Sequence, residues 1–218
     1  MSEKFLKNWE SSDREALFHR FKTGINPGPP LKQRLTNTLY RLNVVSHRLN
    51  DSASRLEQRG REFFDKCTAA QIAKDNDRAA MYANECAEIR KMAKIVLHSQ
   101  MAIEQVTLRL ETVKDFGEVA AQMAPVVPIV QAVKTQLVGV MPQVSSELST
   151  IGDTLNSFIV EAGETMGTGY DMVASGEEAQ RILREAGAIA DQKMIEKFPE
   201  LPTSLPKVPS AERGSLAR

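Results

Sequence analysis

Apolar residues repeat by alternating steps of four and three along the segment that follows Leu31. This spacing is the period of a coiled-coil seam, so it predicts one very long helix. A polar run, KDND at 74–77, then predicts a turn in which Asn76 or Asp77 caps a second helix with the same apolar spacing. A turn this short requires the two helices to be antiparallel. The two predicted seams are Leu35, Leu39, Leu42, Ser46, Leu49, Ala53, Leu56, Gly60, Phe63, Cys67 and Ala70, and then Tyr82, Cys86, Ile89, Ala93, Val96, Gln100, Ile103, Thr107 and Leu110.

Each arm of this hairpin has about 35 to 40 residues, which gives a length of roughly 50 to 60 Å. The proline-rich run at 23–30 separates the hairpin from an upstream helical segment, because proline cannot continue a helix. Pro30 itself suits the first turn of the next helix.

The N-terminal segment, residues 1–24, is amphipathic. Phe5, Leu6 and Trp9 are flanked by Lys4 and Lys7, which is the composition of a wedge that inserts into a membrane interface. The alternative is a cap that packs on the hairpin. Burial of three such side chains stabilises either arrangement by roughly 1.5 to 3 kcal/mol each, so both interpretations stay open.

The pattern changes beyond Lys114, where helical segments are shorter and are interrupted by prolines and glycines. Breaks are predicted at Pro125, Pro128, Pro142 and 163–169, and the breaks near Pro125, Pro142 and 163–169 are expected to act as hinges. Ser175-x-x-Glu178 fits a capping box that opens a last helix, which ends before Pro199. The run FPELPTSLPKVPS then predicts an extended polyproline-like tail.

The sequence therefore predicts an all-α protein: a long antiparallel helical hairpin, shorter hinged helices and an extended Pro-rich tail. The expected divisions are 1–24, 28–114, 115–196 and 197–218.

A formal net charge of zero conceals a strong asymmetry between the two halves. Residues 1–114 carry 20 Lys and Arg against 14 Asp and Glu, whereas residues 115–218 carry 8 against 14. Attraction between a basic front and an acidic back favours a closed chain, in which the later helices fold back on the hairpin. Salt should loosen that form, because exposed charges are screened within about 8 Å at physiological ionic strength.

Four arginines recur every seven residues beside the first seam, and we call them the arginine ladder: Arg34, Arg41, Arg48 and Arg55. One interpretation is a solvated flank whose aliphatic stems cover the seam. The other is a binding face for an anionic membrane, where each basic residue is worth about 1 kcal/mol. Roughly 4 kcal/mol per subunit is weak alone but large when many subunits are joined.

No pattern of catalytic, metal or cofactor-binding residues is visible. His19, His47 and His98 lack metal-site spacing, and 167–169 lacks the strand and third glycine of a dinucleotide loop. Cys67 and Cys86 are placed to face each other across the hairpin, although two free buried thiols are the preferred interpretation. We expect a protein without enzymatic activity.

The chain has no secretory signal and no uncharged stretch of 18 residues, so we expect a soluble cytosolic protein.

The run KDNDRAAMYANECAEIRKM resembles the hairpin signature of ESCRT-III proteins, and the continuation MAIEQVTLRLETV is most similar to the archaeal cell-division branch, the CdvB paralogues. The resemblance covers about residues 28–196. With no winged-helix-like segment at the C-terminus, the chain looks like one of the shorter paralogues. The resemblance implies a filament of this chain and paralogous subunits that constricts and cuts a membrane in cell division or vesicle budding. Its expected place is the inner face of the plasma membrane at the division site, with no nucleic-acid partner.

In that family a Leu-Pro-rich tail segment binds the MIT domain of an AAA ATPase. Leu205-Pro206-Lys207-Val208-Pro209 resembles the second type of MIT-interacting motif, and Leu201-Pro202 resembles a weaker upstream copy. The implied partner is therefore a CdvC-like ATPase, which extracts subunits through the tail. A BAR-like coiled-coil scaffold that does not polymerise is the alternative function.

Overall fold

The computed structural model describes residues 30–116, 123–166 and 172–198, and it confirms an all-α protein. No strand occurs in those ranges. The helices in them are α1 (Leu31–Ile72), α2 (Asn76–Phe116), α3 (Val126–Leu137), α4 (Pro142–Met166) and α5 (Met172–Lys197). Pro30 lies immediately before α1, and its carbonyl oxygen accepts hydrogen bonds from the N–H groups of Gln33 and Arg34.

The first two helices form the predicted antiparallel hairpin. α1 has 42 residues and α2 has 41, so each arm is about 60 Å long. Most predicted seam residues are buried, but Ser46, Leu56, Phe63 and Tyr82 are only half-buried. Fully buried Val45 lies outside the predicted seam. The buried stripe on α1 is wider than a coiled-coil seam because α4 also packs on this helix.

The turn between α1 and α2 differs from the prediction by one residue. Asp75, not Asn76 or Asp77, caps α2: its Oδ1 accepts a hydrogen bond from the N–H of Arg78 at 3.1 Å. Lys74 adopts a positive φ of 57°, and its N–H donates to the carbonyl oxygen of Gln71 at 2.9 Å. The N–H of Asp75 donates to Ala70, which completes a Schellman termination of α1.

Helix α2 is the centre of the molecule, because α1, α3 and α5 all pack on it. It buries a second set of side chains that the seam did not predict: Leu97, Met101, Ala102, Val106 and Val113. The described helices share one main hydrophobic core, and a small second cluster lies near the end of α5.

The positions of the prolines and glycines correct two predicted breaks. Pro128 lies in the first turn of α3, where its missing N–H would have no partner within the helix, so it does not interrupt the helix. Gly163 lies inside α4, which continues to Met166, so no break occurs there. Pro125 directly precedes α3 and Pro142 is the first residue of α4, as their preference for helix starts predicts.

Helix α5 begins three residues before the predicted start. It starts at Met172, so Ser175 lies within its first turn and is not the N-cap. The carboxylate of Glu178 is instead 2.8 Å from the guanidinium of Arg109 on α2. The capping-box prediction is therefore wrong, because a tertiary ion pair holds the glutamate. The predicted end before Pro199 is correct.

Candidate functional site

The arginine ladder lies on α1 beside helix α4, and the guanidinium group of Arg34 makes several contacts with that helix. The Arg34 guanidinium donates to Oε2 of Glu161 at 2.7 Å and to Oγ of Ser157 at 2.9 Å. It also lies 4.8 Å from the centre of the Phe158 ring, a distance at which a cation attracts the face of the ring. An ion pair, a hydrogen bond to a hydroxyl group and a cation–π contact therefore hold Arg34 against one turn of α4.

Arg48 forms the second contact of the ladder with α4. Its guanidinium donates to Oε2 of Glu147 at 2.7 Å. The two arginines are 14 residues apart on α1, and their two glutamates are 14 residues apart on α4 in the opposite direction. Helix α4 is therefore antiparallel to α1 and in register with the ladder over four turns.

The other two ladder arginines have no recorded ion pair within the described ranges. By the register above, the position opposite Arg41 is Thr154, which carries no charge. Arg55 lies beyond the start of α4 by the same register. Acidic partners on α4 thus occupy Arg34 and Arg48, while Arg41 and Arg55 keep their charges uncompensated by α4.

Helix α5 covers the other arm of the hairpin through a separate set of polar contacts. Arg109 pairs with Glu178 at 2.8 Å, and Lys94 pairs with Asp191 at 2.7 Å. His98 of α2 contacts both α5 and α3. Its Nε2 lies 2.9 Å from the carbonyl oxygen of Leu183 on α5, and its Nδ1 lies 2.8 Å from Oε1 of Gln136 on α3.

Four ion pairs in the described part of the chain follow the charge asymmetry, with a hairpin cation and a carboxylate from α4 or α5. A fifth is reversed, since Lys197 of α5 donates to Glu57 of α1 at 2.9 Å. Exposed ion pairs contribute about 0.2 to 1 kcal/mol each. Burial of large apolar side chains contributes roughly 1.5 to 3 kcal/mol each, so apolar packing dominates closure and the charges set its register.

The end of α5 is held on the hairpin by Phe198. Its side chain is buried with Ile89 and Ala93 in the second hydrophobic cluster. A Cβ atom on Gly60 would lie only 2.9 Å from Cε1 of Phe198, so the ring fills the space that any other residue at position 60 would need.

The two cysteines are free and buried, as the sequence indicated. They do not face each other: Sγ of Cys67 lies 3.4 Å from the carbonyl oxygen of Ala79, and Sγ of Cys86 lies 3.9 Å from that of Gly60. These contacts offset the thiols by seven residues, about 10 Å along the hairpin. Burial raises the pKa of both thiols, and the charge of Cys67 adds a smaller increase to the pKa of Cys86. No cluster of three or more potential metal ligands occurs in the parts of the chain that the structure describes.

Comparison with known proteins identifies the family. The chain is 40% identical over 204 residues to cell division protein B1 of Sulfolobus acidocaldarius, a match that covers 94% of this chain and 92% of that protein. The chain belongs to the archaeal cell division protein B family. It is also 34% identical over 195 residues to cell division protein B of the same organism, which covers 86% of this chain and 75% of that protein. The resemblance to the CdvB branch of ESCRT-III-like proteins is thereby confirmed.

Two other comparisons were negative. No protein-family model matches this CdvB-family chain. No solved structure matches it either.

Two of the predicted sites lie outside the described residues. They are the membrane wedge of Lys4, Phe5, Leu6, Lys7 and Trp9, and the ATPase-binding residues Leu201, Pro202, Leu205, Pro206, Lys207, Val208 and Pro209. Among the described helices of this CdvB-family protein, none is long and apolar enough to cross a bilayer.

Sequence reasoning missed the partners of the ladder and the Phe198 contact. Glu147 and Glu161 repeat the 14-residue spacing of Arg34 and Arg48, which is a signal that a search for matched opposite charges would have found. Gly60 belongs to the predicted seam, although a glycine in a helix interior costs roughly 0.8 to 1 kcal/mol relative to alanine. An unfavourable glycine inside a helix is a sequence signal that another residue packs closely against the helix at that position.

Proposed function

We propose that this chain is a filament subunit in archaeal cell division, which assembles on the cytosolic face of an anionic membrane and constricts it. The named relatives are cell division proteins, which supports the process. The contacts of the arginine ladder support the mechanism. The proposed role is structural and not catalytic.

The observation that best supports this proposal is the pair of salt bridges between Glu147 and Arg48 and between Glu161 and Arg34. A closed chain therefore uses half of the ladder internally, while Arg41 and Arg55 keep their charge available. Anionic lipid headgroups recognise the same guanidinium groups as these carboxylates do. The membrane and α4 are competing partners for one face, and opening increases its affinity for lipid.

The energies explain why opening is coupled to assembly. Complete release of α4 exposes buried side chains of this helix, such as Ile151, Leu155 and Phe158. Three such side chains cost roughly 4 to 9 kcal/mol, against about 4 kcal/mol gained when the whole ladder meets lipid. Lipid alone is therefore insufficient. A second copy of the chain that covers the exposed surfaces supplies the difference, which favours a filament over a lone membrane-bound chain.

The two terminal segments complete the proposal. The wedge of Phe5, Leu6 and Trp9 inserts beside the ladder, and the tail motif at 201–209 binds a CdvC-like AAA ATPase that removes subunits. Deletion of 201–209 should abolish ATPase binding without harming assembly, whereas retained binding in a pull-down would reject the tail assignment.

Co-sedimentation with vesicles rich in anionic lipid tests the competition. The double variant Glu147→Gln, Glu161→Gln releases Arg34 and Arg48 without changing their charge, so it should bind more tightly than the wild type. Asp153→Asn is the matched control, because Asp153 is an exposed carboxylate of the same helix that has no recorded ion pair within the described residues. Equal binding by the double variant and the wild type would reject the competition.

Electron microscopy of the same vesicle samples tests polymerisation. Filaments on the vesicle surface are expected. Discrete dimers would instead support the BAR-like scaffold that does not polymerise.

A further inference from the structure

Phe198 occupies a socket on the hairpin that only a glycine allows. The Phe198 side chain is buried, with 7% of its surface exposed, at the point where α5 ends. Its ring atoms Cε1 and Cδ1 lie 2.9 and 3.2 Å from the place of a Cβ on Gly60. Ile89 and Ala93 of α2 pack against the same ring, so the socket spans both arms of the hairpin.

Gly60 lies in the interior of a 42-residue helix, where glycine is unfavourable. A Cβ at this position would also lie 3.5 Å from Cγ2 of Ile89, an ordinary packing distance, so α2 leaves room for a larger residue. The ring of Phe198 is what excludes one. Glycine at position 60 therefore destabilises α1 locally, but it leaves the space in which the Phe198 ring packs.

A polar contact beside the socket fixes the same turn of α5. The ammonium group of Lys197 donates to Oε2 of Glu57 at 2.9 Å, and Arg61 pairs with Oε1 of the same carboxylate at 2.6 Å. Elsewhere the buried residues of α5 are mostly small, namely Ala179, Ala186 and Ala190 with Ile182. Phe198 is thus the largest buried side chain at the α5 end of the molecule.

We propose that Phe198 in the Gly60 socket is a latch through which tension on the tail opens the closed chain. The tail continues from Pro199 with no residue in between. A load applied to the tail therefore acts on the Phe198 ring before it acts on any contact of α2 with Ala190 or Ala186. Extraction of the ring from the socket is the first step, and release of α5 follows. The latch is a property of the chain alone, and it does not depend on the proposed ATPase partner.

Single-molecule force spectroscopy on the full chain tests the latch, with no lipid or ATPase present. One handle is placed on exposed Asp51 of α1 and the other on the C-terminal Arg218. Phe198→Ala should lower the force of the first opening event and raise the extrapolated opening rate by about tenfold to a hundredfold, the effect of losing the burial of one large apolar side chain. Ile195→Ala is the matched control, because this residue of the same helix is 80% exposed, and it should behave as the wild type.

The glycine side of the socket gives an independent pair of variants. Gly60→Ala should lower the opening force as Phe198→Ala does, whereas Gly176→Ala should not, because a Cβ on Gly176 meets no atom within 4 Å. The double variant Gly60→Ala, Phe198→Ala should open no more easily than Phe198→Ala alone, since both changes remove one shared contact.

Two results would overturn the latch: an unchanged first opening force in Phe198→Ala, or full additivity of the Gly60 and Phe198 changes. Failure of the lipid or ATPase experiments would leave these force measurements unaffected. The two proposals therefore fail separately.

Discussion

Helices α4 and α5 cover different arms of the hairpin with side chains of different size. The buried residues of α4 are large, including Leu148, Ile151, Leu155 and Phe158, and they fill the space between α4, α3 and α1. Those of α5 are mostly alanines, which let α5 approach α2 closely but bury less apolar surface per residue. Because the hydrophobic contribution scales with buried area, each large side chain of α4 contributes more to closure than each alanine of α5 does.

The contact of α4 with the hairpin is disrupted most effectively at Phe158. Phe158→Ala removes a side chain that is 1% exposed and stacked on Arg34, so it should lower the free energy of unfolding by about 3 to 5 kcal/mol. Chemical denaturation measures the loss, and hydrogen exchange should show faster exchange along α4. Val160→Ala, at a position that is 53% exposed, is the control and should change stability little. Equal effects of the two variants would mean that α4 does not close through this face.

The contact of α5 with the hairpin is disrupted by making its small buried residues larger. Ala186→Leu places three extra carbons into the contact with α2, where position 186 is fully buried, and should cost about 1 to 3 kcal/mol. Ala188→Leu makes the same change at an exposed position of α5 and is the matched control. Hydrogen exchange should accelerate along α5 while α4 keeps its protection. Loss of protection in α4 as well would show that the two closures are one cooperative unit.

Charge contributes least to either closure. Glu161→Gln should cost only about 0.2 to 1 kcal/mol, because the pair with Arg34 is partly exposed. Salt at about 1 M should weaken each such pair by a similar amount, since the screening length falls to about 3 Å. Denaturant midpoints at low and high salt measure both effects. A cost of several kcal/mol for Glu161→Gln alone would contradict the dominance of apolar packing.

The hairpin was predictable from sequence because its information is local. A heptad pattern such as Leu35, Leu42 and Leu49 predicts a helix and its seam, and the short turn at 74–77 then requires antiparallel pairing. The cap shifted to Asp75 because neighbouring acidic and amide residues compete for one position, and composition does not decide between them.

The covering helices were less predictable because their contacts are distant in sequence. The charge asymmetry predicted that acidic segments fold onto the hairpin, but only the register of α4 selects Glu147 and Glu161. The capping box at Ser175 failed for the same reason, since Glu178 has a tertiary partner in Arg109. To predict the Phe198 socket from sequence, one would have to know which distant residue packs against Gly60, and that residue is 138 positions away.

The most direct test of the competition between α4 and the membrane is hydrogen exchange of α4 with and without anionic vesicles. If lipid and α4 share the arginines, the amides of 142–161 should exchange faster in the vesicle-bound protein than in the free protein, and neutral vesicles should have no effect. Unchanged protection of α4 in the bound protein would contradict the account, because Arg34 and Arg48 would then remain paired with Glu161 and Glu147 on the membrane.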